Sequence, residues 1–381
     1  MHLPLMSFAL YATVLIAFSG VEAQAQTVRP EAVATGLQNP WALAFLPQGR
    51  FLVTERPGRL RVVEADGWLG PPVPGLPAID AGGQGGLLDV ITDASFAVNR
   101  RIYFCFSEPA ASGGGNSTAL ARATLAADNS RLEDVQVLFS QKPKFSSSAH
   151  FGCRIVEAHQ DGKPDGTLFL TLGDRYSRMQ DAQKLDNHHG KVIRINKDGT
   201  VPKDNPFVGR AGALPEIWSY GHRNMQGATL APDGTYWTHE HGPQGGDEIN
   251  LPQPGRNYGW PVITYSENYG GGKMGEGITA KAGMAQPLHY WVPSIAPSGM
   301  VFLTSGRYGQ AWQGNLFVGS LKFGYLNRIE LTAPFKGQVV REHKLLDGGG
   351  ERIRDVRQGP DGLLYVLTDS PRGRLLRLQP G

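Results

Sequence analysis

Asp165-Gly166-Thr167-Leu168-Phe169-Leu170-Thr171-Leu172-Gly173-Asp174 is a turn dipeptide followed by a short run of β-branched, aromatic and aliphatic residues, closed by a second polar turn. That pattern reads as a buried strand entered from a tight turn. The phrase recurs at Leu46-Pro47-Gln48-Gly49 through Glu55, Pro232-Asp233-Gly234 through Thr238, Gly314-Asn315 through Ser320, and Pro360-Asp361-Gly362 through Thr368. A weaker copy, Asn99-Arg100-Arg101-Ile102-Tyr103-Phe104-Cys105-Phe106, lies between the first two and brings the count to six. Spread over the roughly 350 residues that follow the N-terminal apolar segment, six copies give about 58 residues per unit, above the 40 to 50 of tightly repeating propellers, and the surplus is assigned to loops. Radial repetition of four-stranded sheets accommodates such units without long exposed edges. The sequence therefore predicts an all-β fold, a six-bladed β-propeller of four-stranded antiparallel sheets with long loops at the active-site end.

Composition agrees with that reading. Of 381 residues 50 are Gly and 27 are Pro, about twice the usual share of Gly, which excludes a helical bundle. Hydrophobic residues make up 40% and charged residues 19%, enough apolar surface for a core and too much for a disordered chain. The net charge of +3 comes without any run of five or six like charges, so nothing supports nucleic-acid binding, although one basic pocket for an anion is compatible with it. An apolar run from Phe8 to Phe18, followed by small residues, reads as a signal peptide over 1–25 cleaved near Ala23 or Ala25. The remainder, 26–381, is expected to be one propeller domain, periplasmic or secreted and without stable membrane insertion. Cys105 and Cys153 are open to either a disulfide or two buried thiols. The longest turn-rich insertion runs from Gly242 to Ala285, and long loops on a rigid scaffold are where function usually sits.

Several motifs are excluded. Gly82-Gly83-Gln84-Gly85-Gly86 lacks the strand and helix context of a dinucleotide-binding turn, and there is no P-loop, nucleophile elbow or zinc-protease helix. His239 and His241 would share one face of a strand, but no third ligand stands at zinc-site spacing.

Taken in order, a set of segments resembles the soluble quinoprotein sugar dehydrogenases, the pyrroloquinoline quinone (PQQ)-dependent glucose and aldose sugar dehydrogenases grouped with sorbosone dehydrogenases. They are Gly82 to Leu88, His150-Phe151-Gly152-Cys153-Arg154, Leu172-Gly173-Asp174, Tyr220-Gly221-His222-Arg223-Asn224-Met225-Gln226-Gly227, Glu240 to Asn250, Asn257-Tyr258-Gly259-Trp260-Pro261, Pro293 to Ser298, Ser320-Leu321-Lys322 and Arg352-Ile353-Arg354-Asp355. The resemblance covers essentially the whole mature chain and is nearer to the aldose sugar dehydrogenase branch. It implies a six-bladed propeller with PQQ and Ca2+ in a cleft at one end, oxidising aldoses at the anomeric carbon to the lactone and passing electrons to an external acceptor. It further implies His150 as general base, Asp174 as the carboxylate that orients it, and Arg223 as the cation beside the reactive carbonyl. Gln84, Asn224, Ser294, Lys322, Arg352 and Arg354 are implied as cofactor contacts. The Gly242 and Pro243 carbonyls are implied as ligands of the catalytic calcium, and Asp247, Glu248 and Tyr258 as ligands of a second, structural one. The preferred sugar stays open, as does the choice between monomer and homodimer. Two other functions compatible with the fold are a calcium-dependent propeller lactonase and a non-catalytic binding propeller.

Overall fold

Six four-stranded antiparallel sheets follow one another in the computed structural model, which describes residues 27–112 and 114–381. The leader expected over 1–25 lies outside the described residues. Five sheets use consecutive strands in chain order. The sixth combines Ile353–Gln358, Leu364–Thr368 and Gly373–Pro380 with the first strand of the chain, Val28–Leu37, which pairs antiparallel with Gly373–Pro380. The first and last described strands thus close the ring by hydrogen bonds.

The first strands of the six sheets are Pro40–Phe45, Leu87–Thr92, Gly152–Gln160, Met225–Leu230, Pro297–Phe302 and Ile353–Gln358. Each contacts the first strand of the next sheet, and the last contacts the first, so they surround one central axis as in a six-bladed propeller. We number the blades 1 to 6 in that order. Second strands lie between neighbouring blades, and Phe51–Glu55, Tyr236–Glu240, Leu316–Ser320 and Leu364–Thr368 are buried along their whole length. Burial on both faces explains why these segments read as unbroken apolar runs. The outermost strand of blade 5, Lys336–Leu345, is largely exposed and carries Lys336, Arg341, Glu342 and Lys344, charges that discourage edge pairing with another chain.

All six copies of the repeated phrase fall on second strands and, in most blades, on the turns that lead into them. Blade 3 differs in one detail. Its hairpin is extended out to Asp161-Gly162, and the quoted Gly166 lies inside the strand Lys163–Leu172 beside a register shift.

Along the axis the first strands are tied by charge. Arg154 Nη1 of blade 3 lies 3.1 Å from Asp89 of blade 2 and 3.1 Å from Asp355 of blade 6, while Arg357 reaches the same two carboxylates at 2.8 and 3.0 Å. Asp89, Asp355 and Arg154 are buried and Arg357 is partly exposed; two cations face two carboxylates, and pairing of this kind is what makes burying such charges tolerable. Cys105 of the second strand of blade 2 is disulfide-bonded to Cys153 of the first strand of blade 3, with a Cα–Cα distance of 5.8 Å. Of the two arrangements open from the sequence, the structure has the cross-link.

Candidate active site

In an antiparallel blade the start of the first strand and the end of the second lie at the same end of the propeller. His150, Arg223 and Arg352 stand at or just before first strands, and Asp174, Gly242, Pro243 and Lys322 just after second strands. The topology therefore brings to one end residues spread over more than half the chain.

His150 adopts a left-handed backbone conformation with φ of 52°, uncommon for a residue with a β-carbon and a form of local strain that clusters at functional sites. It is clamped in place. Its backbone N–H donates to Gln84 Oε1 at 2.9 Å, and a β-carbon on Gly173 would come within 2.0 Å of the His150 carbonyl oxygen, so only glycine lets the segment carrying Asp174 approach this closely. His150 Nδ1 lies 2.6 Å from Asp174 Oδ1. Asp174 is wholly buried and also accepts from the Tyr176 backbone N–H at 2.8 Å and from Trp260 Nε1 at 2.7 Å. With Nδ1 held, Nε2 is the nitrogen left for the cleft. Burial pushes the His150 pKa below its ordinary value, Asp174 opposes that by hydrogen bonding and charge, and Arg223 and Arg175 push it down further. Burial thus favours the neutral imidazole, the form able to accept a proton.

Arg223 donates to the His241 carbonyl at 3.0 Å, and its guanidinium lies 5.3 Å from the centre of the Trp260 ring. Together with His150, Trp260, Tyr176, Tyr269 and Pro243 it lines a cleft of about 290 Å³. Successive residues face different spaces here. Phe151 and Asn224, the neighbours of His150 and Arg223, line a separate cavity of about 270 Å³ near the axis together with Gln84, Arg352 and Arg354. Arg56 and Asp369 also line it. Neither was signalled by the sequence, although each stands just after a second strand, where the topology puts the other site residues. Asp369 accepts from Arg354 at 2.8 Å and from Arg352 at 3.3 Å. Three guanidinium groups against one carboxylate leave the cavity net positive, and Arg354 Nε is buried with no partner among the described residues. Such a cavity suits an organic anion with several carboxylates.

A third cavity, of about 650 Å³, adjoins the cleft through Pro243 and Tyr269 and is lined by Ser294 and Lys322. The Ser294 hydroxyl is already committed, donating to Asp247 Oδ2 at 2.6 Å. The expected cofactor contacts thus divide: Gln84, Asn224, Arg352 and Arg354 gather at the axis, while Ser294 and Lys322 stand on the outer side of the cleft.

The metal candidates also divide. Among the described residues the Gly242 and Pro243 carbonyls accept no hydrogen bond, so both remain available to a hard cation. Asp247 and Glu248 do not converge on one ion as expected. They are consecutive on the strand Asp247–Asn250, and alternation sends their side chains to opposite faces. Asp247 is filled by protein donors: the Gly242 N–H on Oδ1 at 2.9 Å, and on Oδ2 the Ser294 hydroxyl and the Ile295 and Ala296 N–H groups at 2.6 to 2.9 Å. It shapes the loops on either side. Glu248 stands opposite Glu240 on the neighbouring strand, and burial followed by that like charge raises its pKa well above the usual carboxylate range. The Tyr258 ring stacks on His222 at 4.8 Å, and His222 Nδ1 lies 3.0 Å from Glu240. Among the described residues no group of three or more His, Cys, Asp or Glu side chains is placed to hold a metal. His239 is buried, and among the described residues neither of its ring nitrogens has a hydrogen-bond partner.

Trp260 was part of a quoted motif without an assigned role. It enters the site by a long detour: the loop after the third strand of blade 4 climbs the outside of blade 3, with Gly255 N–H bonded to the Trp218 carbonyl, Tyr258 N–H to that of Tyr220, and Trp260 N–H to that of Gly221. A β-carbon on Gly221 would lie 2.2 Å from Asn257 Oδ1, so this contact also depends on glycine.

Comparison with known proteins identifies the family. The family model described as Glucose / Sorbosone dehydrogenase matches residues 37–377. The chain is 45% identical over 366 residues to aldose sugar dehydrogenase YliI of Escherichia coli (strain K12), covering 95% of each protein. The crystal structure of the soluble aldose sugar dehydrogenase (Asd) from Escherichia coli in the apo-form superposes with a TM-score of 0.87 at 43% identity, over 93% of this chain and 100% of that one. The PQQ-bound form of aldose sugar dehydrogenase (Adh) from Streptomyces coelicolor gives a TM-score of 0.75 at 26% identity, over 93% of this chain and 98% of that one. With the model match spanning nearly the whole propeller and relatives alike along their full length, the chain belongs to the Glucose / Sorbosone dehydrogenase family of oxidoreductases.

Proposed function

We propose that the protein oxidises aldose sugars at the anomeric carbon to the lactone, with PQQ and Ca2+ as cofactors, and passes the electrons to an external acceptor. The observation that carries this reading is the His150–Asp174 pair, at 2.6 Å, facing the same cleft as Arg223. A binding module needs no oriented base, and a lactonase built on a metal needs a ring of acidic and amide ligands, whereas the axial cavity here is lined by Arg56, Arg352 and Arg354. The Streptomyces coelicolor relative, whose structure contains PQQ, supports the choice of cofactor.

The residues fit these cofactors. Arg56, Arg352 and Arg354 supply the cations that PQQ carboxylates require, with Gln84 and Asn224 as polar neighbours and Lys322 at the outer side. The Gly242 and Pro243 carbonyls would hold Ca2+. Bound PQQ would supply a two-electron acceptor, and Ca2+ would polarise it. His150 Nε2 takes the proton of the anomeric hydroxyl as hydride departs from that carbon, Asp174 stabilises the imidazolium that results, and Arg223 presents a fixed positive charge to the cleft. The flanks of the cleft, Tyr176, Trp260 and Tyr269, offer the sugar apolar faces and exclude water from the base.

Titrating purified protein with PQQ, with and without Ca2+, while following dye reduction by a panel of aldoses tests the proposal. Saturable turnover that requires both additions is the expected result. Absence of PQQ binding would favour the lactonase or the binding module.

A further inference from the structure

We propose that Trp260 is a positioning residue for proton abstraction, its indole N–H locking the Asp174 carboxylate while its ring supports Arg223. The inference rests on the sugar-oxidation reading above and assigns it a residue outside the base and its carboxylate.

Asp174 has two oxygens with separate duties. Oδ1 meets His150 Nδ1 and the Tyr176 N–H; Oδ2 meets Trp260 Nε1 at 2.7 Å. A carboxylate turns easily about its terminal torsion, and in a wholly buried position an oxygen deprived of its donor is costly to leave unpaired. The indole therefore fixes the plane of the carboxylate and, with it, the direction of the His150 ring. Trp260 is itself held at its backbone. Its N–H donates to the Gly221 carbonyl at 2.9 Å, two residues before Arg223, and its carbonyl accepts from Gln183 Nε2 at 2.7 Å. Gln183 and Asn257 exchange two amide hydrogen bonds, at 3.1 and 2.8 Å, that brace the same strap. One side chain thus touches both the partner of the base and the cation of the cleft, and a change in it disturbs the two together. The charged groups facing His150 are Asp174, Arg223 and Arg175, with the Tyr176 ring edge 5.2 Å away.

The test uses Trp260→Phe, which keeps an aromatic ring and removes the donor, and Gln183→Met, which keeps the indole and loosens its anchor. The His150 imidazole is titrated by NMR in cofactor-free protein, and turnover against pH and PQQ affinity are measured in loaded protein. Removing the indole donor leaves more of the carboxylate charge to the imidazole, so in Trp260→Phe the His150 titration should rise by roughly half a unit or more. Turnover at saturating sugar and PQQ should fall about tenfold through lost orientation, with PQQ affinity little changed. Gln183→Met should shift both in the same direction by less, and it carries the test if Trp260→Phe does not fold. An unmoved His150 titration in the folded variants, or a loss confined to PQQ affinity, overturns the inference. Absence of sugar oxidation by the parent protein overturns the functional reading as well, and is distinguished by that control.

Discussion

Asp174→Asn is nearly isosteric and should nevertheless remove most of the activity. All three partners of the carboxylate are donors: His150 Nδ1–H at 2.6 Å, the Tyr176 N–H at 2.8 Å and Trp260 Nε1 at 2.7 Å. An asparagine amide must therefore point its NH2 at one side of this set. Toward Tyr176 and His150 it meets an N–H unless the imidazole changes tautomer, placing its proton on Nε2 and losing the lone pair that takes the substrate proton. Toward Trp260 it opposes the indole N–H and loses the negative charge that stabilises imidazolium. Either outcome costs about 10³-fold in turnover, or about 4 kcal/mol at 1.36 kcal/mol per factor of ten. The pH dependence has a definite sign. His150 works as the neutral base, so the rate falls as pH drops through its pKa, which burial holds below the ordinary value and Asp174 pulls back up. Removing the carboxylate lowers that pKa further, so the acid limb of the residual activity should move to lower pH. The assay is dye-linked turnover at saturating PQQ and Ca2+ from about pH 4 to 9, with PQQ affinity measured alongside to show that the variant is loaded. Turnover within threefold of the parent, or an acid limb displaced upward, would refute the assignment of Asp174 as the group that orients and stabilises the base.

Two further outcomes follow from the geometry. Arg354→Met removes a nearly buried guanidinium from the axial cavity and leaves Asp369 with Arg352 alone of its two arginine partners; PQQ affinity should fall at least about tenfold while turnover at saturating PQQ changes little, and unchanged affinity in a cofactor titration would take the axial cavity out of the cofactor site. Replacing both Cys105 and Cys153 by Ala opens a cross-link between residues separated by 48 positions, worth about 4 kcal/mol by loop-closure entropy; the denaturation midpoint should drop to match that of the reduced parent, and an unaltered midpoint in both would show that the bridge does not constrain the unfolded chain.

What the sequence made legible was local. Each copy of the repeated phrase holds a turn and a strand within about ten residues, and burial of second strands between blades gives all copies the same apolar signature, so the six-fold count needs no long-range information. Site residues such as His150, Arg223 and Lys322 were legible because each blade edge carries its own short motif, and the motif survives as a contiguous string. Period-two alternation was equally available for Asp247 and Glu248, and applied to them it already separates the two carboxylates. The sequence alone does not show what fills Asp247, since the donors to its Oδ2 come from 294–296.

The unreadable part of the site shares one physical feature: it is created by chain segments meeting across blades. Trp260 stands 86 positions from Asp174, and its loop begins after a third strand, whose end lies at the far end of the propeller from the site. Topology alone would therefore exclude it. It arrives only because the segment from Gly255 to Trp260 hydrogen-bonds along the fourth strand of blade 3 and is carried to the active-site end. Arg56 and Asp369 obey the opposite logic. They sit just after second strands, as Asp174, Gly242 and Lys322 do, so once the blades are counted their position places them at the active-site end without any motif. A propeller sequence thus carries two kinds of site information, one in strings and one in strand order, and the second becomes readable only after the first has fixed the register of the blades. Trp260 stands in a legible string, but neither string nor strand order reveals what it touches, which makes its hydrogen bond to Asp174 the contact for which the three-dimensional structure is indispensable.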